Sequence, residues 1–297
     1  MAFLLGLLTA LGYGAGDFLG GLASRRAPAL VVACYSQLLV TAPLLGVALL
    51  LAGLPGASAL WWGGASGVAM ALGLLAYYRG LAEGSMGLVA AVTGVLSALV
   101  PLAAGLALGE RPGWLALTGI VSIVVAIALV SGGAREASPR DLDAPVRGGD
   151  THGHRGPHPL LGVFDGMIAG VAFGAVFVFL DQAAEGSALW PVVMAGGVGG
   201  LVLLGVMLWH RPDRHMARST LVLIALAGLL QGLATLAFVV AVRIGLLSVI
   251  AVAGALSPAP TALLARFFQA ERMSRLQLAG FGFALVGIVL IVRGGAG

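Results

Sequence analysis

Apolar residues run along the chain in ten blocks, each about 20 residues long, the length that spans a lipid hydrocarbon layer. The blocks cover 2–23, 29–52, 60–82, 86–109, 113–131, 159–182, 188–209, 219–243, 246–268 and 275–293. Each predicts a membrane-crossing helix, since a helix rises about 1.5 Å per residue. The joints between them are short and carry glycine, proline or charge, as at Ser24-Arg25-Arg26, Glu83-Gly84 and Arg111-Pro112. Only 132–158 has the composition of a linker, with acids, prolines, glycines and a tract of His152, His154 and His158.

The blocks repeat. Gly84 to Gly133 holds an apolar run with Pro101, then Glu110-Arg111, then a second apolar run ending in paired glycines. Gly245 to Gly295 has the same plan, with Pro258 and Pro260 and then Glu271-Arg272. The Glu-Arg pairs stand 161 residues apart, and at that offset Ala90 meets Ala251 and Gly119 meets Gly280. Near the front of each half, Tyr13-Gly14-Ala15 meets Phe173-Gly174-Ala175. Each half therefore holds five crossings, and an odd number places one copy upside down relative to the other. The expected fold class is an all-α integral membrane protein of ten transmembrane helices in two inverted five-helix repeats. The expected divisions are 1–133, a polar linker 134–158, and 159–297.

Composition removes the soluble alternatives. Only 9% of residues are charged, against about 25% in a soluble domain. All 16 cationic residues are arginine, scattered between apolar runs, so the net charge of +4 marks membrane topology and not a nucleic-acid face. All but Arg111, Arg243 and Arg293 fall on one side, which predicts that side as cytoplasmic and both termini as extracytoplasmic, in a cell (inner) membrane. The tryptophans Trp61, Trp62, Trp114, Trp190 and Trp209 sit at span ends, as interfacial anchors do. Residues 1–23 lack a basic leader region and belong to the repeat, so no cleavable signal is expected. Cys34 is alone, which excludes an internal disulfide framework.

The five-plus-five plan, the aromatic-glycine pairs Tyr13-Gly14 and Phe173-Gly174, and the fourth spans closed by Gly109-Glu110-Arg111 and Ala270-Glu271-Arg272 resemble the drug/metabolite transporter superfamily, EamA type. The resemblance covers nearly the whole chain. It implies a carrier of small metabolites, often outward, with a central cavity lined by spans 1, 3, 4, 6, 8 and 9. Ala270 departs from the glycine of the first half.

Polar residues at membrane depth are the candidate pathway. Asp17 continues the stripe Thr9, Tyr13, Asp17 at four-residue spacing. It reads either as a cation- or proton-binding carboxylate or as a partner of Arg25 or Arg26. Asp181 follows Phe173 and Phe177 in the same way, nearer the boundary, while Asp165 reads as a helix-start acid. Thr93 and Ser97 share a face with Pro101, and Ser257 and Thr261 flank Pro258 and Pro260. The prolines are expected helix breaks, since each removes a backbone donor. Tyr77, and Gln231 with Thr235, are candidate substrate contacts, with an inter-helix hydrogen bond as the plainer role for Gln231. Glu110 and Glu271 read as helix-start or local ion-pair acids, and Arg79, Arg243 and Arg266 as snorkelling anchors.

Phosphate-binding loops and nucleophile elbows are missing, and the linker histidines read as solvated, so no catalytic site, metal or cofactor is expected. The expected function is a secondary, non-ATP transporter of small metabolites. It is read as an exporter of amino-acid-like or drug-like compounds by alternating access, with proton coupling as one drive. The alternatives are a membrane-embedded enzyme acting on a lipid-linked substrate and a metabolite uptake carrier. Expected partners are a small-molecule substrate, the lipid bilayer and protons, with no nucleic acid, in a monomer or a homodimer.

Overall fold

The computed structural model describes residues 1–83, 86–133, 159–184, 186–212, 216–269 and 274–294. Among these the chain is all helical. In order come α1 (Ala2–Ser24), α2 (Ala29–Leu51), α3 (Ala57–Glu83), α4 (Met86–Ala107) and α5 (Trp114–Gly133). The second half holds α6 (Pro159–Gln182), α7 (Leu189–His210), α8 (Arg218–Val242), α9 (Leu247–Gly254), α10 (Pro258–Gln269) and α11 (Arg275–Arg293). Nine stretches are long and apolar enough to cross a membrane, with α9 and α10 together forming one of them, Leu247–Phe268. The helix α4 is apolar from Val92 to Ala107, a shorter stretch than these nine.

The two halves interlock. The helix α3 packs on α6, and its counterpart α8 packs on α1; α4 packs on α6 as α9 and α10 pack on α1. Corresponding helices also meet each other directly, α5 with α11 and α2 with α7. Gly119 faces Gly287 and Ile291, while Gly280 faces Ala126 and Val130, so α5 and α11 run antiparallel. On α2 and α7, Thr41 faces Gly196 and Leu38 faces Gly200, again antiparallel. Counterpart helices pointing opposite ways are what inversion of the repeat means.

Small residues make these approaches possible, because lipid supplies no hydrophobic force between helices and close packing must hold them. The same glycine positions are used in both copies. Gly6 lies against Ile250 as Gly166 lies against Val89, and Gly14 lies against Ser257 and Pro260 as Gly174 lies against Val100. The buried tryptophan is an exception to the anchor pattern. Trp61, Trp62, Trp114 and Trp209 are exposed, but Trp190 is buried and donates its indole N–H to the Gly53 carbonyl at 3.0 Å.

Glu110 reaches further than a local role. Gly109 adopts φ +93°, a conformation that glycine tolerates, and ends α4 in a Schellman turn: Gly109 N–H bonds Leu106 O at 3.1 Å and Glu110 N–H bonds Gly105 O at 3.0 Å. The turn folds Glu110 back over Gly105, whose missing side chain leaves it room. Its carboxylate then accepts from the backbone N–H of Leu247 at 2.6 Å and of Ser248 at 2.9 Å, capping α9 in the other half. Ala270, Glu271 and Arg272, and the linker with its histidines, lie outside the described residues.

The proline breaks are not equivalent. Span 9 is interrupted: residues 255–257 form a turn, and α10 starts at Pro258. Pro101, expected to break its span too, sits inside an uninterrupted α4. Two prolines within three residues remove two donors, whereas one missing bond is absorbed along α4. The register differs as well, since the 161 offset aligns Pro258 with Ser97 and Pro101 with Ala262.

Candidate functional site

The polar stripe of α1 lies in a wedge between two partners. Gly12 and Gly16 seat α8, where an added Cβ would stand 2.8 Å from Ala234 or Gln231. Gly6 and Gly14 seat span 9, where a Cβ on Gly14 would stand 2.6 Å from the Ser257 carbonyl oxygen. Leu4, Leu8 and Leu11 are exposed on the opposite face of α1. Thr9, Tyr13 and Asp17 therefore point toward the bundle, between α8 and span 9.

A chain of hydrogen bonds ties this stripe to α8. Thr9 Oγ1 bonds the carbonyls of Leu5 at 2.9 Å and Ala234 at 3.3 Å. The Thr235 hydroxyl donates to the Gln231 carbonyl at 2.9 Å, which leaves Tyr13 OH as the donor in the 2.9 Å bond between Tyr13 and Thr235. Gln231 Nε2 donates to Asp17 Oδ1 at 3.2 Å. The hydrogen-bond role expected of Gln231 and its place beside the carboxylate are thus one arrangement. Asp17 forms no ion pair with Arg25 or Arg26, so the interfacial-pair reading of this acid is set aside among the described residues.

Access along the stripe is graded. Thr9 is fully buried, Tyr13 is half-buried and Asp17 is exposed. Beyond Tyr13 the rings of Phe177 and Phe238 close the space, with centroids 6.3 Å from Tyr13 to Phe177 and 4.8 Å from Phe177 to Phe238. All eight residues of α9 are buried at that end. The stripe is thus buried at Thr9 and exposed at Asp17, toward the end of the bundle where α1 and α3 finish and α8 begins.

Tyr77 stands on the Asp17 side of the bundle. It is half-buried on α3, lies edge-on to Phe173 at 6.2 Å, and stands within electrostatic reach of Asp17. Phe173 itself rests over Gly73, which has no side chain to displace it.

The other expected residues are placed elsewhere. Thr93 is buried and donates to the Gly166 carbonyl at 3.0 Å, stitching α4 to α6. Ser97 donates to Gly94 O at 2.8 Å within its own helix. Ser257 sits in the turn between α9 and α10, where its carbonyl accepts from Thr261 Oγ1 at 3.0 Å, and the same hydroxyl reaches Gly14 O at 2.9 Å. Asp181 is at the far end of α6, accepting from Gln182 Nε2 at 3.0 Å and within reach of the Glu110 charge.

Two further assignments change. Asp165 is no helix-start acid: it lies seven residues into α6, buried, and takes a two-pronged contact from Arg79 of α3 through Nε at 2.9 Å and through the second guanidinium nitrogen. Arg79 is thus an ion-pair partner, not a simple snorkelling anchor. The pair is 86 residues apart, and nothing local in the sequence joins them. Arg243 bonds the Gly186 carbonyl at 2.7 Å. Cys34 is buried in α2 against Gly200 of α7. Among the described residues, no three His, Cys, Asp or Glu gather in a way that could hold a metal.

Comparison with known proteins gives the same architecture. The model of the EamA-like transporter family matches residues 1–132 and again residues 160–293. Among solved structures 28 chains match. One, described only as a crystal structure of a protein, superposes with a TM-score of 0.75 over 98% of this chain and 96% of its own, at 15% identity, which speaks for the fold alone. No curated protein matches the sequence.

Proposed function

The chain belongs to the EamA-like transporter family, within the drug/metabolite transporters, and from that premise we propose a secondary carrier that exports small metabolites by exchanging the shapes of its two inverted halves. That it is a multi-pass membrane transporter follows from the family; driving force, direction and pathway are our reading. The single observation that carries the pathway is Asp17, an exposed carboxylate on the bundle-facing side of α1, held by the neutral amide of Gln231. Charge at membrane depth is costly and persists where it serves a path. Asp17 takes a proton or the cationic part of a substrate, and Tyr13, Tyr77 and Gln231 line the pathway. Thr93, now closed against α6, and Ser97 form the equivalent bank that opens when the halves exchange. Ser257 is the hinge, and Asp181 lies at the opposite mouth.

The halves 1–133 and 159–297 act as the two moving units, joined by 134–158. With no nucleotide-binding motif in the sequence, an ion gradient is the drive, and protons fit Asp17. Arginine placement supports the cytoplasmic (inner) membrane with extracytoplasmic termini, and the Asp17 end then faces the cytoplasm. The carrier works as a monomer or a homodimer, without cofactor. Metabolite-profiled export from cells with and without the protein tests this: a compound retained only in the absence of the protein supports export. Accumulation inside only in its presence would replace export with uptake.

A further inference from the structure

We propose that the corner where the α1–α2 joint meets the α7–α8 joint binds the phosphodiester of an anionic bilayer phospholipid, through Arg26, Arg211 and Arg218. The inference needs only the membrane location that the family shows, and neither a substrate nor a direction of transport. The two joints are distant in sequence but packed together. Met216 of the second lies against a cluster holding the buried Ala23 and Ala27, which bracket Arg25 and Arg26 in the first. It also lies against the cluster of Met207, four residues before Arg211. Arg26, Arg211 and Arg218 are exposed, and among the described residues no carboxylate bonds any of them. Asp165 is engaged by Arg79 and Asp17 by Gln231, while Asp213, Arg214 and His215 lie outside the described residues. Arg218 opens α8, whose first turn holds no acid. Cations gathered at one corner repel, and a shared anion relieves that repulsion.

Arg211 adds a second sign. Its backbone sits at φ 47°, ψ 50°, and among the described residues it is the one non-glycine residue with positive φ. Glycine takes that conformation without strain and a side chain does not. The position thus holds a guanidinium where the turn alone asks for glycine. The guanidinium fork matches two phosphate oxygens at once. The surroundings name the source of the phosphate. Leu208, 51% exposed, and Trp209, 86% exposed, come just before Arg211 on α7. Tryptophan at a span end marks headgroup depth, and exposed apolar flanks beside it are covered by lipid chains. Arginines at that depth, next to an apolar flank, fit a molecule with an anionic head and a hydrocarbon body. Arg26 belongs to the first half and Arg211 and Arg218 to the second, so a bound phospholipid ties the two halves together at this corner.

The probes are dioleoyl phosphatidylglycerol, and dioleoyl phosphatidylcholine, whose choline cancels the phosphate charge on the same chains. Native mass spectrometry of the purified full-length protein should show phosphatidylglycerol retained about tenfold or more over phosphatidylcholine, and excess glycerol phosphate should not displace it. Arg26→Gln and Arg218→Gln should each lower that retention about fivefold, the size of one basic contact at an anionic surface. Arg211→Gly should lower it as much without lowering the melting midpoint in phosphatidylcholine nanodiscs, because glycine suits the turn. Arg275→Gln is the control: it opens α11, which packs on α5, and should change nothing. Equal retention of the two lipids, displacement by glycerol phosphate, or an equal loss in Arg275→Gln overturns the proposal. Binding is read here without transport. Lipid selectivity in a protein that moves no metabolite leaves this site standing and removes the carrier reading, and metabolite export without lipid selectivity does the reverse.

Discussion

The Ser122 hydroxyl donates to the Phe283 carbonyl at 2.7 Å, across a sequence separation of 161 residues. That separation is the repeat offset, so Ser122 bonds its own counterpart. The bond marks where the pseudo-twofold axis passes between α5 and α11. The glycines beside it make the relation testable. A Cβ on Gly119 would lie 2.7 Å from Ile291 and 2.8 Å from the Gly287 carbonyl oxygen; on Gly280 it would lie 2.8 Å from Val130 and 3.0 Å from the Ala126 carbonyl oxygen. Gly119→Ala and Gly280→Ala should each destabilise by about 1–3 kcal/mol, and by similar amounts. Thermal melting in detergent measures this. A cost at only one of the two would show that the copies do not share this axis.

Asp17→Asn should abolish the pH dependence of flux while leaving the protein inserted. The sign is set by competition. Protonation neutralises the carboxylate and displaces a bound cation, so cation binding strengthens as pH rises through the titration of Asp17 and fades below it. Among the described residues, Tyr13 and Tyr77 are titratable groups within its electrostatic reach. Tyr13→Phe and Tyr77→Phe should keep the pH response. Flux in proteoliposomes across pH is the measurement, and an unchanged profile in Asp17→Asn would remove Asp17 from the coupling step.

Arg79→Ala should destabilise far more than the pair is worth, because it leaves Asp165 buried without its cation. Breaking a buried pair costs about 3–5 kcal/mol, and the exposed guanidinium of Arg79, at 60%, moves the expectation to the lower end. Adding Asp165→Asn to Arg79→Ala should recover most of the loss. Melting midpoints of the two variants decide it, and equal midpoints would mean the ion pair is incidental.

Glu110→Ala should loosen the start of α9. It removes two charge-assisted bonds, for a loss of about 2 kcal/mol or more. Gly105→Ala should mimic it, since the new methyl occupies the place of the Glu110 carboxylate. Hydrogen exchange at Leu247 and Ser248 reports the effect directly. Protection unchanged in both variants would show that the cap is not what orders α9.

The sequence carried the scaffold because membrane length and odd-numbered repetition are one-dimensional signals. Ten spans and their inversion could be read from apolar runs and from the Glu-Arg pairs. The Thr9, Tyr13, Asp17 stripe was also visible, since four-residue spacing fixes one helix face. Partners across the bundle were not. Asp17 and Gln231 are 214 residues apart, and Glu110 and Leu247 are 137 apart, so both contacts depend on which helices the glycines allow to meet. The same reason hid the Arg79–Asp165 pair. That Thr93, on the face of α4 shared with Pro101, meets α6 was hidden in the same way. Trp190 looked like a surface anchor because position along a span does not report which side of it is packed.

Span 9 is jointed and span 4 is not, and on the proposed carrier reading that difference favours one pose of the empty molecule. Identical halves would make the two poses, one for each side of the membrane, equally comfortable by symmetry. Here proline stands at 258 where serine stands at 97, and phenylalanine at 177 where aspartate stands at 17, so trading places exchanges unlike parts. A difference of about 1.4 kcal/mol already leaves one pose ten times as populated as the other. On the carrier reading proposed above, the unloaded protein rests facing one way, and its return stroke is uphill.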